Sequence, residues 1–379
     1  MASRQIQNLV ELYRNNYTQV LSNEIANEIY AQIDTPRNQL FWLPRFENEG
    51  MGEVADDYIE YSVNEANYGY AGVTHPEGAS KSIERGESTK IRKEAVFTKE
   101  HVGFDYSDLL ALAKLRLNAM ANQDITVKNV LESYFTALED LKTRHAKAIE
   151  VACMKGLITG KLTFKTDVEG VYKTQDTGVE SKDIVASGYG AYFTDTANSD
   201  PFLTLDKASE NFENWNSNTA TYNVYMNLTT HRNLIASQTL RKGQGTGTLV
   251  SQSQLDQIVQ NPSNSSWTNL VAGKWNIVTI HNTITDELSD GTRFTQKTIP
   301  DGYVIIEASQ NESGLQHVKY WKTLNLRPQD FGYAEVIGDF VGETYTGPQE
   351  NRVTKKIELS SSFAIAFQYP KAFLTLKVY

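Results

Sequence analysis

The groups in this chain that could do chemistry are few, and they stand apart. Its six histidines, His75, His101, His145, His231, His281 and His317, occur singly. No two have the spacing that would set a pair of imidazoles on one helix face around a zinc ion. The one cysteine, Cys153, allows neither an intramolecular disulfide nor a cysteine-rich zinc site. It falls near the C-terminal end of a helical pattern, where the helix dipole works against a thiolate, so packing is its expected role. Asp56 with Asp57, and Asp105 with Asp108, could do acid–base work, but no partner group accompanies them and caps or surface charges are expected. The segment "RKGQGTGTLV" (241–250) is rich in glycine without the Gly-Lys-Ser/Thr ending of a phosphate-binding loop. It reads as a loop tip flanked by Arg241 and Lys242. The Gly-x-Ser-x-Gly elbow of hydrolases is absent. No catalytic residue, metal ligand or cofactor is expected, and the chain does not read as an enzyme.

The composition narrows the class further. With 379 residues, 40% apolar and 22% charged, the chain is long enough for one large domain or two to three smaller ones. Its formal charge of −10 does not suit a surface that grips nucleic acid throughout, since neutralising phosphates needs a surplus of Lys and Arg. Twenty tyrosines and an aromatic content of 11% lean toward strands or extensive interfaces. Neither a signal-peptide pattern nor a run of 18 apolar residues is present, so a cytoplasmic, soluble protein is expected.

The elements that must position these residues follow from periodicity. Residues 4–33 carry Ile6, Leu9, Val10, Tyr13, Tyr17, Val20, Leu21, Ile25 and Ile29 at helical spacing, an amphipathic arm ending near Pro36. Residues 54–63 and 89–106 read as strands, the second alternating through Val96, Thr98, Val102 and Phe104. The long connection between them is Gly- and Ser-rich and suits an extended, projecting hairpin. Residues 64–105 hold seven acids and six bases, a mixture better fitted to pairing with another surface than to capturing one ion.

The strongest pattern spans 126–155, where Val127, Leu131, Tyr134, Phe135, Leu138, Leu141, His145, Ala148, Ile149 and Ala152 recur every three or four residues. Asp124 or Thr126 is the expected N-cap and Gly156 the left-handed C-terminal residue. Thirty residues would make a rod of roughly 45 Å. His145, on the apolar stripe, is expected to be partly buried. Downstream, 165–220 is acidic, with ten acids against four bases. "TYNVYMNLTTHRNLIAS" reads as strand then helix, and "KWNIVTIH" (274–281) as a strand. Turns are expected at Asp290-Gly291 and Pro300-Asp301-Gly302, then a strand at Tyr303–Glu307. The alternation of Leu374, Leu376 and Val378 predicts a last strand tied into a sheet. The class is α+β.

The order of these parts resembles the major capsid proteins of tailed phages, in the lambda-like branch with the Hong Kong 97 capsid fold. Four stretches carry the likeness: "GLITGK" (156–161) closing the long helix, Pro300-Asp301-Gly302 before an apolar strand, "SGLQHVKYW" after it, and "GPQENRVTKKIELSSSFAIAFQYPKAFLTLKV" near the end. The likeness covers about residues 55–379, and each motif is short, so its specificity lies in order and spacing. It implies an N-terminal arm (1–50), an extended loop with flanking strands (51–106) and a peripheral domain with a spine helix (107–184, helix 126–155). It further implies an axial domain (185–340) and a return to the peripheral domain (341–379).

What the resemblance implies about function is an icosahedral shell subunit. It would self-assemble through hexamers and pentamers in the host cytoplasm into a virion capsid enclosing double-stranded DNA without reading its sequence. Scaffolding, portal and decoration proteins would be its partners, with no membrane involved. Relatives mature from a procapsid, and some cross-link through a Lys–Asn isopeptide bond; no such pair can be placed here, and non-covalent assembly is expected. The candidate inter-subunit contacts are Lys81, Arg85, Lys90, Arg92, Lys93, Arg241 and Lys242. Three alternatives stay open: an encapsulin-type compartment of the same fold, a phage tail or baseplate protein, and a carbohydrate-active enzyme or binding module suggested by the Tyr/Trp content.

Overall fold

The structure, a computed structural model, describes residues 40–43, 47–52, 58–64, 88–94, 96–104, 124–165, 172–212, 221–241, 267–272, 274–287, 293–309, 318–323, 334–337, 340–349, 352–367 and 369–379. The expected arm helix at 4–33, Asp56, Asp57, Asp105, Asp108 and the Gly-rich segment 242–250 lie outside these residues.

The class is α+β. Helix α1 (Asp124–Thr159) runs for 36 residues, a rod of about 54 Å at ~1.5 Å per residue. It starts two residues before the 126–155 that its periodicity implied and runs four residues, about one turn, past it, because Gly156 does not end it. Gly156 is a helical residue at a close approach: a Cβ there would lie 2.8 Å from Leu162 Cδ2 and 3.0 Å from Phe367 Cζ. The left-handed residue is Gly160, at φ 67°, where a Cβ would meet the Val179 carbonyl oxygen at 2.5 Å. So the two glycines have different tasks, one admitting neighbours and one turning the chain into β5 (Lys161–Lys165).

The last carbonyls of α1 find partners far along the chain. The Thr177 hydroxyl donates to the Gly156 carbonyl (3.1 Å) and the Thr375 hydroxyl to the Leu157 carbonyl (2.6 Å). The Thr177 N–H donates to the Gly160 carbonyl (2.9 Å). A helix end left without such partners in a buried setting would be costly.

Two mixed six-stranded sheets flank this rod. The first contains β1 (Glu47–Gly52), β4 (Val96–Phe104), β14 (Val318–Thr323), β15 (Ala334–Ile337), β16 (Phe340–Gln349) and β17 (Arg352–Phe367). Its order is β1-β14-β17-β16-β15, and the sixteen-residue β17 also pairs with β4. The expected strand at 89–106 is therefore two elements: β4 joins this sheet, whereas β3 (Ser88–Glu94) pairs antiparallel with β2 (Tyr58–Asn64) in a separate hairpin. The second sheet has the order β7-β18-β13-β8-β10-β9, from β7 (Glu180–Asp183), β8 (Thr221–Asn227), β9 (Trp267–Ala272), β10 (Trp275–Ile280), β13 (Tyr303–Ser309) and β18 (Phe373–Lys377). Two further hairpins pair β5 with β6 (Tyr172–Asp176), and β11 (Thr283–Glu287) with β12 (Arg293–Lys297).

The strands of the second sheet are rich in β-branched and aromatic residues because both faces are covered. On one face, Val224, Met226, Ile277, Val304, Ile306, Leu374 and Leu376 form a core with Phe202 and Leu205 of α2 (Pro201–Ser209) and Leu234 and Ile235 of α3 (Leu228–Ala236). On the other, Tyr225, Val278, Ile280, Ile305 and Phe373 pack with Ile149, Cys153 and Leu157 of α1. Neighbouring residues of one strand serve opposite cores, as the two-residue period of a strand requires. The strand–helix reading of 221–237, the strand at 275–280, the Pro300-Asp301-Gly302 turn with the strand after it, and the C-terminal strand all match what their sequence implied.

Candidate functional site

The most heavily built polar feature lies where the N-terminal segment meets α1. Glu150 projects from the helix into the core and is 1% exposed. Its carboxylate accepts hydrogen bonds from three consecutive backbone N–H groups. Phe41 N donates to Oε1 (2.8 Å), Trp42 N to both oxygens (2.9 Å each) and Leu43 N to Oε2 (2.8 Å). Both oxygens are filled by donors, an arrangement that fits a carboxylate and leaves no place for a carboxyl proton. A buried charge is tolerable only when so completely bonded.

Apolar packing fixes the same segment from the other side. Leu40, Phe41 and Trp42 are buried at 2%, 0% and 2%. The Phe41 and Trp42 rings meet edge-on at 4.8 Å, and both meet Tyr225 of β8 edge-on, at 5.5 and 5.0 Å. Tyr225 in turn donates its hydroxyl to Glu307 Oε2 of β13. Residues 40–43 are thus a plug between the helix and the sheet, clamped by charge on one side and by aromatic edges on the other. Burial, and secondly the charge of Glu150, push the nearby Cys153 thiol up, so this cysteine is a buried packing group, as its sequence position implied.

The described part of the apolar stripe on α1 behaves as expected: Leu141, His145, Ile149 and Ala152 are buried and Ala148 half-buried. His231, on α3, is 1% exposed and shares a hydrogen bond with the Thr279 hydroxyl through Nδ1 (2.8 Å). Burial, then the neighbouring His281, hold its pKa down to about 4, so it is neutral at pH 7. The His281 imidazole is also pushed down, by burial and then by Arg232. Among the described residues no group of three or more His, Cys, Asp or Glu could hold a metal ion.

Near the C-terminal end of β8, Asn227 caps α3 by accepting from Thr230 N (2.8 Å) and donates to the Ile299 carbonyl (2.9 Å) and Asp301 (2.5 Å). Lys297 completes this network through Asp301 (2.5 Å) and the Thr229 hydroxyl (2.9 Å). The Lys297 hydrogen bond first, and that of Asn227 after it, hold the Asp301 carboxyl below its usual range. These contacts form a joint that ties the β11–β12 hairpin to the second sheet.

The chain matches no family model and no curated protein. It is similar in structure to the capsid of cyanophage A-1(L), at TM-score 0.47 and 12% identity, with 91% of this chain and 93% of that one covered. A phage-related protein from Bordetella bronchiseptica gives TM-score 0.46 at 12% identity, covering 93% of this chain and 96% of that one. The virus-like particle from Pyrococcus furiosus gives 0.37 at 10%, covering 93% and 98%. These scores and identities are all low, so the reading of function rests on this chain's own geometry.

Of the seven candidate contact residues, Lys90, Arg92 and Lys93 fall on β3, at register positions opposite Ser62, Glu60 and Ile59. Arg241 ends the short helix α4 (Gln238–Arg241). Lys81, Arg85 and Lys242 lie outside the described residues. The sequence reading passed over Glu150, although a signal was there. Its neighbours one helical turn away include Ala146, Cys153 and Met154, and an acid set among apolar residues on the buried face needs a donor. What that donor is, backbone amides more than a hundred positions earlier, no local pattern shows.

Proposed function

We propose that this chain is a shell subunit, the major capsid protein of a tailed bacteriophage, assembling with copies of itself around double-stranded DNA. The observation that carries this reading is the β2–β3 hairpin. Its two seven-residue strands pair with each other over their full length, and among the described residues no third strand joins them. A two-stranded ribbon is at best marginally stable alone in water and needs a surface to lie on. β17 of the same chain touches both of its strands, and a neighbouring copy would cover what β17 leaves open.

The remaining parts fit the same role. A flat subunit in a thin wall must resist bending, and a rod of 36 residues laid across two sheets provides that stiffness. It touches β4 and β17 of one sheet and β7, β13 and β18 of the other. No helix among the described residues is long and apolar enough to cross a membrane. The aromatic residues that suggested a glycan site do not favour one, because Trp42, Trp275, Tyr222 and Tyr225 are buried in the two cores.

In this reading residues 1–50 are the arm, 51–106 the extended loop, 107–184 the peripheral domain, 185–340 the axial domain and 341–379 the return. Lys81, Arg85, Lys90, Arg92 and Lys93 on the loop, with Arg241 and Lys242, meet acidic surfaces of adjacent copies. The subunit has no enzymatic role and needs no cofactor. Scaffolding, portal and decoration proteins are its partners, and assembly takes place in the host cytoplasm.

The test is electron microscopy of the purified chain beside a variant lacking residues 68–88. Closed particles, or rings of five and six, are expected from the full chain. The deletion is expected to leave a folded subunit that does not close. Tubes of uniform width would make this a tail protein instead, cargo protein inside the particles would make it a compartment, and intact shells from the deletion would remove the hairpin from assembly.

A further inference from the structure

Residues 40–43 fall toward the end of the segment read above as the arm, and three of their backbone N–H groups converge on the Glu150 carboxylate. We infer that Glu150 is the anchor of the N-terminal segment, a positioning residue whose two carboxylate oxygens fix the root of the arm on the long helix. Phe41, Trp42 and Leu43 present their N–H groups in sequence to a single side chain, at 2.8–2.9 Å, with Glu150, Phe41 and Trp42 buried and Leu43 half-buried. Nothing about the aromatic packing of Phe41 and Trp42 requires this. Rings held by Tyr225 could be buried with their backbone bonded to ordinary carbonyl or water partners.

The acceptor set is specific. An amide at position 150 has one oxygen and one NH₂, so one end of the clamp would face an N–H with another donor. Charge-assisted hydrogen bonds are also about twice as strong as neutral ones. Glu150 therefore holds the segment in a way that its neutral isostere cannot, although shape and volume are kept. The link from anchor to shell geometry rests on the shell reading above; the anchor itself does not.

Amide hydrogen exchange on the unassembled full-length chain tests the anchor. In Glu150→Gln, the amides of 41–43 are expected to exchange roughly tenfold faster or more, while those of β8 and β13 keep their protection. A second variant, Phe41→Ala with Trp42→Ala, keeps the charge and removes the rings. Its 41–43 amides are expected to stay slower than those of Glu150→Gln. If they open fully while Glu150→Gln stays closed, the rings are the anchor and the inference is wrong. Should Glu150→Gln fail to fold, slow 41–43 amides in the ring-less variant support the inference and fast ones overturn it. Electron microscopy of the same proteins separates the two claims. A released arm with normal shells leaves the anchor standing and removes its link to assembly.

Discussion

The two faces of the β7-β18-β13-β8-β10-β9 sheet are covered by opposite strategies. One face is closed by α2 and α3, short helices whose N-caps sit next to them in sequence: Asp200 accepts from Leu203 N at 3.1 Å and Asn227 from Thr230 N at 2.8 Å. The other is closed by α1 and by residues 40–43, and its polar joints include Leu43–Glu150 and Thr375–Leu157, 107 and 218 positions apart, besides Thr177–Gly156 across 21. Local closure gives a face that each segment can begin to build for itself. Closure at a distance gives a face that forms only when residues 40–43, the helix and the C-terminal strand meet, and so reports whether the whole chain has folded.

The widest test of this contrast is a matched pair of core truncations. Phe41→Ala and Phe202→Ala each empty a fully buried phenylalanine site, one on each face. Each is expected to destabilise by about 3–5 kcal/mol, from lost transfer energy plus a residual cavity. Equilibrium denaturation of the two variants checks this. A loss below about 1 kcal/mol for Phe41→Ala would mean that residues 40–43 are an ornament on the distant face and not one of its walls.

The local face was far more legible in the sequence than the distant one, for the same reason. The strand-then-helix pattern of 221–237, the turn at Pro300-Asp301-Gly302 with the strand expected at 303–307, and the alternation of Leu374, Leu376 and Val378 are short-range signals, and the elements stand where those signals put them. The long helix was legible as a helix, because its period survives thirty residues. Its end was misplaced by one turn. A glycine needed for close packing against Leu162 and Phe367 looks, in sequence, like a glycine needed for a left-handed turn. Only the fold, which puts the Val179 carbonyl against Gly160, tells them apart. The hairpin at 58–94 was legible from its long polar connection. That β4 departs from it to pair with β17, more than 250 positions later, was not.

Acid offers a second way to separate the faces, of intermediate size. His231 belongs to the local face, and its folded pKa of about 4 lies below the ordinary 6.5. The unfolded chain therefore takes up its proton first as pH falls. The contribution of neutral His231 is complete above about pH 6.5 and is lost as the pH drops toward 4. At ~1.4 kcal/mol per pH unit this is at most about 3 kcal/mol. His231→Gln is expected to flatten that part of the stability–pH curve, measured by denaturant titration at pH 7, 5.5 and 4. An unchanged slope would place the acid sensitivity elsewhere, with the joints of the distant face as the next place to look.

The smallest expected effect sharpens the comparison most, because it isolates locality itself. Asp200 caps α2 by accepting from a residue three positions on, and the loss of that cap in Asp200→Ala is expected to cost about 1 kcal/mol. Asn227 also caps a helix, but its amide reaches the Ile299 carbonyl and Asp301, 72 and 74 positions away. Asn227→Ala removes the local bond and also the bonds to the Ile299 carbonyl and to Asp301, which keeps Lys297, at a residue that is 2% exposed. It is therefore expected to cost about 1–2 kcal/mol more than Asp200→Ala. Asn227→Asp keeps the acceptor for Thr230 N while replacing the donor toward Asp301 with a second negative charge. If it is as well tolerated as Asp200→Ala, the cap is all that matters at this position. If it is worse than Asn227→Ala, the reach across the sheet outweighs the local bond, even on the face that is built mostly from neighbours in sequence.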